Sequence, residues 1–490
     1  MTGKYRKLWL ASALVTVCVT TSVGDAQVST ATSMSQSERA EGAKAHPELL
    51  KEFGGLYNGP QAAYVTSVGR RIAVQSSLSS QQNDFTISLL NSSVNNAFAI
   101  PGGYVYVTRQ LMALMNDEAE LAGVLGHEIG HVAAQHSKKR QSASQRNSIL
   151  GTLGQVLVGV VAGDSGFGQL LQKGIGTGTQ LLTLKFSRTQ EYEADDLGIR
   201  YLAKAGYDPK ALSSMLASLA AQTELDARTR GSNNAVPEWA STHPDPASRV
   251  RRALTNAQAT GSKSNYRNAA TFVGNLDGLL YDDDPKEGVI RGREFLHPLF
   301  KLKFTAPTGF TMQNGTTAVS IAGQSGQAQF SGGSLNGSLD DYVQDVFVQL
   351  AGQDRRPSVS IQRNMINGLP AAYGSGRMSN SQGAQLDVTV VAYQFGPSSA
   401  YHFLVVTPAG QGLGGLSPMI NSMARMSDSE AAGIKPRRVR LVTVRPGDTA
   451  RSLASRMAYS DYQLDRFLVL NGLGPNAPLK VGGRVKIVSY

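Results

Sequence analysis

The sequence predicts an α+β protein of several domains, on three observations. Helical periodicity alternates with short strands from His46 to about Arg252, and strands alternate with helical runs again over 296–430. A compact final segment then follows the basic stretch Lys435-Pro436-Arg437-Arg438. The chain has 490 residues, too many for one compact core, which suggests two to four domains. The expected division is an export segment over 1–26, a disordered leader over 27–45 and a mainly helical domain with a small sheet over 46–254. A linker over 255–295, a small α+β domain over 296–430, a basic linker over 431–440 and a terminal domain over 441–490 follow.

The first element is an export signal. Lys4, Arg6 and Lys7 form a positive start, Leu8 to Val19 an apolar stretch, and Gly24-Asp25-Ala26 a small-residue cleavage site. About a dozen apolar residues fall short of the roughly twenty that a span needs, which favours a cleaved signal over an anchor. Cys18 is the only cysteine, and Val17 before it is not the small residue that lipid attachment wants. A chain cleaved after Ala26 therefore has neither disulfides nor thiol chemistry. Residues 27–45 are rich in Ser, Thr, Ala and Gln and predict disorder. The net charge of +11 favours anionic lipid or acidic wall polymers, while no basic run interleaves with aromatics, so nucleic acid is not an expected partner.

In the helical domain, Thr86–Leu90 and Gly103–Val107 are the clearest strands, the second with period-two alternation. Ile149–Val161 and Gly163–Gly178 are apolar and glycine-rich without reaching membrane-spanning length. They read as a buried helix and a loop, with a lid or membrane-facing element as the sharper alternative. Thr255–Asn265 is small and polar, as a linker would be. Within 296–430, strands are expected at Leu302–Thr305, Leu386–Tyr393 and Tyr401–Val406, and helices near 339–351 and 416–426.

The chemistry concentrates at His127-Glu128-Ile129-Gly130-His131. Residues four apart share a helix face, so the two imidazoles can converge on one zinc ion with Glu128 beside them. Asn116 can cap this helix, Asp117, Glu118 and Glu120 suit its positive end, and Lys138, Lys139 and Arg140 suit its negative end. With 7 histidines, chance would produce the motif in only roughly three such chains per thousand. A catalytic zinc needs a third protein ligand. The metzincin position for a third histidine holds Ser137. Downstream, Ser187 and Gln190 form a capping box that starts a helix carrying Glu191 and Asp195 on one face. One of these carboxylates can bind the metal while the other orients a histidine. A solvated acidic face, with Glu193 and Asp196, is the bland alternative.

His127–His136 (HEIGHVAAQH), Ser187–Gly198 (SRTQEYEADDLG) and Asn96–Val107 (NAFAIPGGYVYV) resemble signature segments of the HtpX/CAAX-prenyl-protease family of gluzincin zinc metallopeptidases. Within it, the segments resemble the periplasmic BepA-like branch, and the resemblance covers roughly 46–253. It implies a mainly helical metallopeptidase domain that binds one zinc ion per chain. Glu191 is then the third ligand beside His127 and His131, Asp195 supports a histidine, and Glu128 is the general base. The resemblance also implies that Asn96, Ala97, Phe98 and Ala99 form an edge strand on which an extended substrate pairs. His243, in a stretch like the family's His-Pro-…-Arg segment, would either take the fourth zinc position and shut the site or stabilise the tetrahedral intermediate. His136 is expected to point elsewhere, and His46, His297 and His402 to be structural. Prenyl-protein processing is not implied, because Gly-rich 149–178 stands where the membrane-embedded branches carry spanning helices.

Leu441–Thr449 (LVTVRPGDT), Leu470-Asn471-Gly472-Leu473 and Leu479–Ile487 (LKVGGRVKI) resemble a LysM domain. That resemblance implies a βααβ unit binding peptidoglycan. The combined expectation is an exported metalloendopeptidase of the periplasm or the periplasmic face of the envelope, in quality control of exported proteins. Its partners would be polypeptide substrates, peptidoglycan and a peripheral membrane contact. The rival expectation is a peptidoglycan-bound chaperone or scaffold whose zinc site is plugged.

Overall fold

The computed structural model describes residues 33–143, 186–230, 239, 243–351, 359–379 and 384–490; the expected export segment over 1–26 and the stretches 149–161 and 163–178 lie outside these. The first helix, α1 (Gln36–Glu52), starts at a reciprocal capping box between Ser35 and Glu38. Residues 36–45 are thus helical rather than part of a disordered leader. The cap nucleates the helix, and Ala45 and Leu49 bury against Phe98 and Tyr106.

Helix α2 (Gln61–Ala73) leads into strands β1 (Thr86–Leu90), β2 (Ala97–Ile100) and β3 (Tyr104–Thr108). Their order is β1-β3-β2, with β1 parallel and β2 antiparallel to β3, so β2 is an edge strand. Gly102, at φ 90°, permits the tight β2–β3 turn. Short α3 (Arg109–Leu114) precedes α4 (Glu118–Ala133), which carries the histidine motif. Its cap is Asp117, whose Oδ1 accepts from the Glu120 N–H at 2.9 Å; Asn116, the expected cap, instead donates its own N–H to Glu120. Helix α4 is buried on nearly every side, well beyond a single apolar stripe.

Beyond α5 (His136–Ala143) come α6 (Arg188–Lys204), α7 (Ala211–Arg230), α8 (Pro246–Ala259) and α9 (Ala269–Asn275). Small residues let α6 lie against α4: a Cβ on Gly198 would stand 3.0 Å from the His127 amide nitrogen. That closeness puts the two motif-bearing helices in direct backbone contact. The 255–295 segment is not a linker. Phe272, Leu276 and Leu279 join the helical core, β4 (Leu280–Tyr281) follows, and β5 (Val289–Arg291) and β6 (Glu294–His297) pair with each other. Their apolar side chains bind them into cores on either side.

The middle of the chain holds β7 (Leu302–Thr305), β8 (Phe310–Asn314), β9 (Ala318–Gly323), β10 (Gly326–Ser334), α10 (Leu339–Ala351), β11 (Ile361–Ile366), β12 (Leu369–Ser379), β13 (Gln385–Gly396) and β14 (Ser399–Pro408). After these come α11 (Ser417–Ser422), β15 (Ala424–Arg425) and α12 (Asp428–Ala432). Strands β8 to β14 build one antiparallel sheet of seven, ordered β11-β12-β13-β14-β10-β9-β8. Alternation along β14 turns Phe403 and Val405 to one face and Leu404 and Val406, beneath α10, to the other. A second sheet, β15-β7-β6-β5, packs on the first face.

The terminal segment runs β16 (Arg437–Thr443), α13 (Ala450–Ala454), α14 (Gln463–Leu470) and β17 (Arg484–Ser489). The basic stretch 431–440 therefore ends inside a strand, and β16 pairs with both β17 and β4. Val439 enters the core of the helical domain. Lys486 is buried, with its Nζ donating to the carbonyls of Ala113 at 2.8 Å and Met115 at 2.6 Å. Among the described residues no helix is long and apolar enough to cross a membrane.

Burial pushes the Lys486 amine down to about 7 from 10.5. A neutral amine still has two hydrogens, enough for both carbonyls. Between these pH values the unfolded chain holds a proton that the folded chain lacks, so the stability contributed here rises with pH, by roughly 1.4 kcal/mol per unit. From pH 7 to 9, wild type is expected to gain about 2–3 kcal/mol relative to Lys486→Met in unfolding experiments. A constant difference between the two proteins would show that the amine is not buried in the neutral form.

Candidate metal centre

Helix α4 supplies His127 and His131, α6 supplies Glu191, and the residue before the turn into α8 supplies His243; all four are buried. One ligand atom from each lies within 4.8 Å of every other. His127 Nε2 is 3.0 Å from His131 Nε2, 3.4 Å from His243 Nδ1 and 3.6 Å from Glu191 Oε2. His131 Nε2 is 3.5 Å from Glu191 Oε1, and His243 Nδ1 is 3.0 Å from the same oxygen. Zinc bonds of ~2.0–2.1 Å in a tetrahedron separate ligand atoms by about 3.3–3.4 Å, and the quoted separations of 3.0–3.6 Å lie near that value. The chemistry agrees. Burial pushes the His131 imidazole well below 6.5, leaving it neutral as a ligand must be. Burial alone would raise Glu191, but His243 and Arg249 outweigh it and hold the carboxyl well below 4.5.

The remaining ring nitrogens are also held. His127 Nδ1 stands 3.0 Å from Asp195 Oδ1, within reach of a hydrogen bond that would orient the ring. His131 Nδ1 lies 2.8 Å from His136 Nδ1, and His136 Nε2 lies 3.1 Å from Glu193. His136 was expected to point elsewhere on a continuous helix. Instead α4 stops at Ala133, Gln135 takes a left-handed φ of 54°, and the new helix α5 turns His136 back onto His131. Phe186 stacks on the His131 ring at 3.8 Å, and Trp239 stacks on His243 at 4.3 Å.

Arg249 is the residue that sequence reasoning passed over. Its guanidinium donates to both Asp195 oxygens, at 2.9 and 2.6 Å, and reaches Glu191 Oε2. It is buried, and it carries the countercharge for both carboxylates. The one signal was its place in the stretch Ser241–Arg249. Glu128 is buried beside the group, with Oε1 3.6 Å from His243 Nε2, and burial raises its carboxyl above 4.5. Ala97–Ala99 lie in edge strand β2, against α4, with Asn96 directly before it. The Asn96 N–H donates to Thr108 Oγ1 at 3.1 Å. His46 bonds Tyr106, His402 bonds Tyr342, and His297 stacks on Phe300, all away from the metal group.

Residues 60–257 match the model of Peptidase family M48. This segment is similar to an M48 peptidase domain. The chain is 33% identical over 212 residues to the "Beta-barrel assembly-enhancing protease" of Escherichia coli O157:H7, covering 42% of this chain and 41% of that protein. It is 30% identical to the "Mitochondrial metalloendopeptidase OMA1" of Schizosaccharomyces pombe, over 42% of this chain and 57% of that one. The chain thus spans about half or less of the length of these curated relatives. A crystal structure from Bacteroides thetaiotaomicron is similar with a TM-score of 0.24 and 12% identity, over 41% of this chain and 87% of that one. M48 peptidases are zinc-dependent, and the buried His-His-Glu-His group in the matched region suits one such ion.

Proposed function

We propose that the chain is a zinc metalloendopeptidase of the bacterial cell envelope that acts on misassembled exported polypeptides. The observation that carries this reading is the buried group of His127, His131, Glu191 and His243 with Glu128 beside it. The envelope setting draws on the bacterial relative, which is named a β-barrel assembly-enhancing protease, and on the export signal over 1–26.

Zinc, when bound by this group, supplies a Lewis acid for the scissile carbonyl and for the water that attacks it. Glu128, its carboxyl raised by burial, takes the proton of that water and delivers it to the leaving amine. Asp195 and His136 fix the rings of His127 and His131, so neither ligand must reorient during turnover. Asn96 and edge strand β2, through Ala97, Phe98 and Ala99, pair with the extended substrate and bring a peptide bond to Glu128.

His243 decides when the site works. A shell of four protein ligands leaves no open position for a substrate. His243 comes from a different element than the other three and is the ligand that can leave without unfolding α4 or α6. His243→Ala should therefore raise kcat/KM on denatured casein, by about tenfold if the closed arrangement holds nine-tenths of the molecules. A variant that binds zinc and stays inactive would favour the second reading, a chaperone or scaffold with a plugged site. The terminal domain over 441–490 is proposed to be LysM-like and to hold the protein on peptidoglycan. Sedimentation of the full chain with insoluble peptidoglycan tests this, and no retention ends that part of the proposal.

A further inference from the structure

A cavity of about 490 Å³ lies where the three parts of the chain meet, within the size range of ligand-binding sites. The helical domain contributes Asn95, Thr223 and Trp239 to its lining, the middle sheet contributes Gln313, and the terminal segment contributes Ser460 and Arg466. Two features tie it to the metal centre. Trp239, which lines the cavity, stacks on His243 at 4.3 Å and has its ring 6.5 Å from that of His127. Asn95, also in the lining, sits two residues ahead of edge strand β2.

The cavity is built rather than left over. Asp282 pins its walls together: its carboxylate accepts from Arg437 at 2.9 Å and from the Tyr459 hydroxyl at 2.6 Å, and its N–H donates to Gln110 at 3.0 Å. These partners come from the terminal segment and the helical domain, so one residue fixes the spacing between them. The lining is rich in amide and hydroxyl side chains, which match the peptide groups of an extended chain better than a compact apolar ligand.

We propose that this junction cavity holds the part of an extended polypeptide substrate that runs past the Asn95 end of β2. The inference rests on the peptidase reading, and it makes the middle and terminal parts one wall of the substrate path. Short peptides that contact only the metal centre should not sense that wall, whereas long unfolded chains should.

The test compares Gln313→Trp, which fills the cavity from the middle sheet, with wild type on carboxymethylated casein and on short fluorogenic peptides. Expected is a loss of about tenfold in kcat/KM on casein with unchanged turnover of the peptides and unchanged zinc content. Thr223→Phe, on the helical-domain side of the lining, gives a second variant should the first fold poorly. A photo-crosslinking residue at position 313 in the Glu128→Gln chain should in addition capture carboxymethylated casein. Unchanged casein cleavage in both variants, or no crosslink, overturns the inference. A crosslink from a chain that cleaves nothing in its wild-type form would sustain the cavity assignment and count against the peptidase reading instead.

Discussion

Replacing Glu128 by glutamine is expected to lower kcat on denatured casein by about 10²–10⁴-fold while one zinc per chain stays bound. The amide keeps the size and burial of the side chain but cannot accept the proton of the attacking water. Glu128 lies beside the group of four residues that could hold the ion without belonging to it, so metal content should not change. Metal analysis and casein digestion on the same preparation check both halves. Full activity in this variant would refute the assignment of Glu128 and, with it, the mechanism.

The largest stability effect is expected at Arg249. Arg249→Met leaves Asp195 and Glu191 buried without their countercharge, which typically costs about 3–5 kcal/mol. Zinc should restore part of the loss, because it replaces positive charge near Glu191 but not at Asp195. Adding Asp195→Asn to the same chain removes the second stranded charge and should recover further stability, at the cost of the contact to His127 Nδ1. Denaturant unfolding with and without zinc measures each step. A single variant as stable as wild type would mean that the guanidinium does not balance these carboxylates.

Local spacing made much of the candidate site legible. Two histidines four apart on a helix converge wherever that helix packs, and a capping box announces the second helix at Ser187. The side chains that hold these ligands were less visible. His136 serves His131 because of a left-handed residue at Gln135, a backbone event that periodicity does not report. Arg249 and Trp239 reach the centre from segments remote in sequence, and no local pattern links them to α4. The 255–295 stretch misled through its polar start, for its later apolar residues enter cores formed with distant partners. The Ser/Thr-rich composition of the leader likewise hid the Ser35–Glu38 cap.

By itself the sequence determined which side chains share a helix face, His127 with His131 and Glu191 with Asp195, because helix periodicity is a local property. Only the tertiary structure decided that His243 comes within reach of His127, His131 and Glu191, that Arg249 bridges two buried carboxylates, and that three parts of the chain enclose a cavity beside Trp239. Those relations depend on which buried surfaces meet. Burial is settled by packing over the whole chain, so no single segment encodes it.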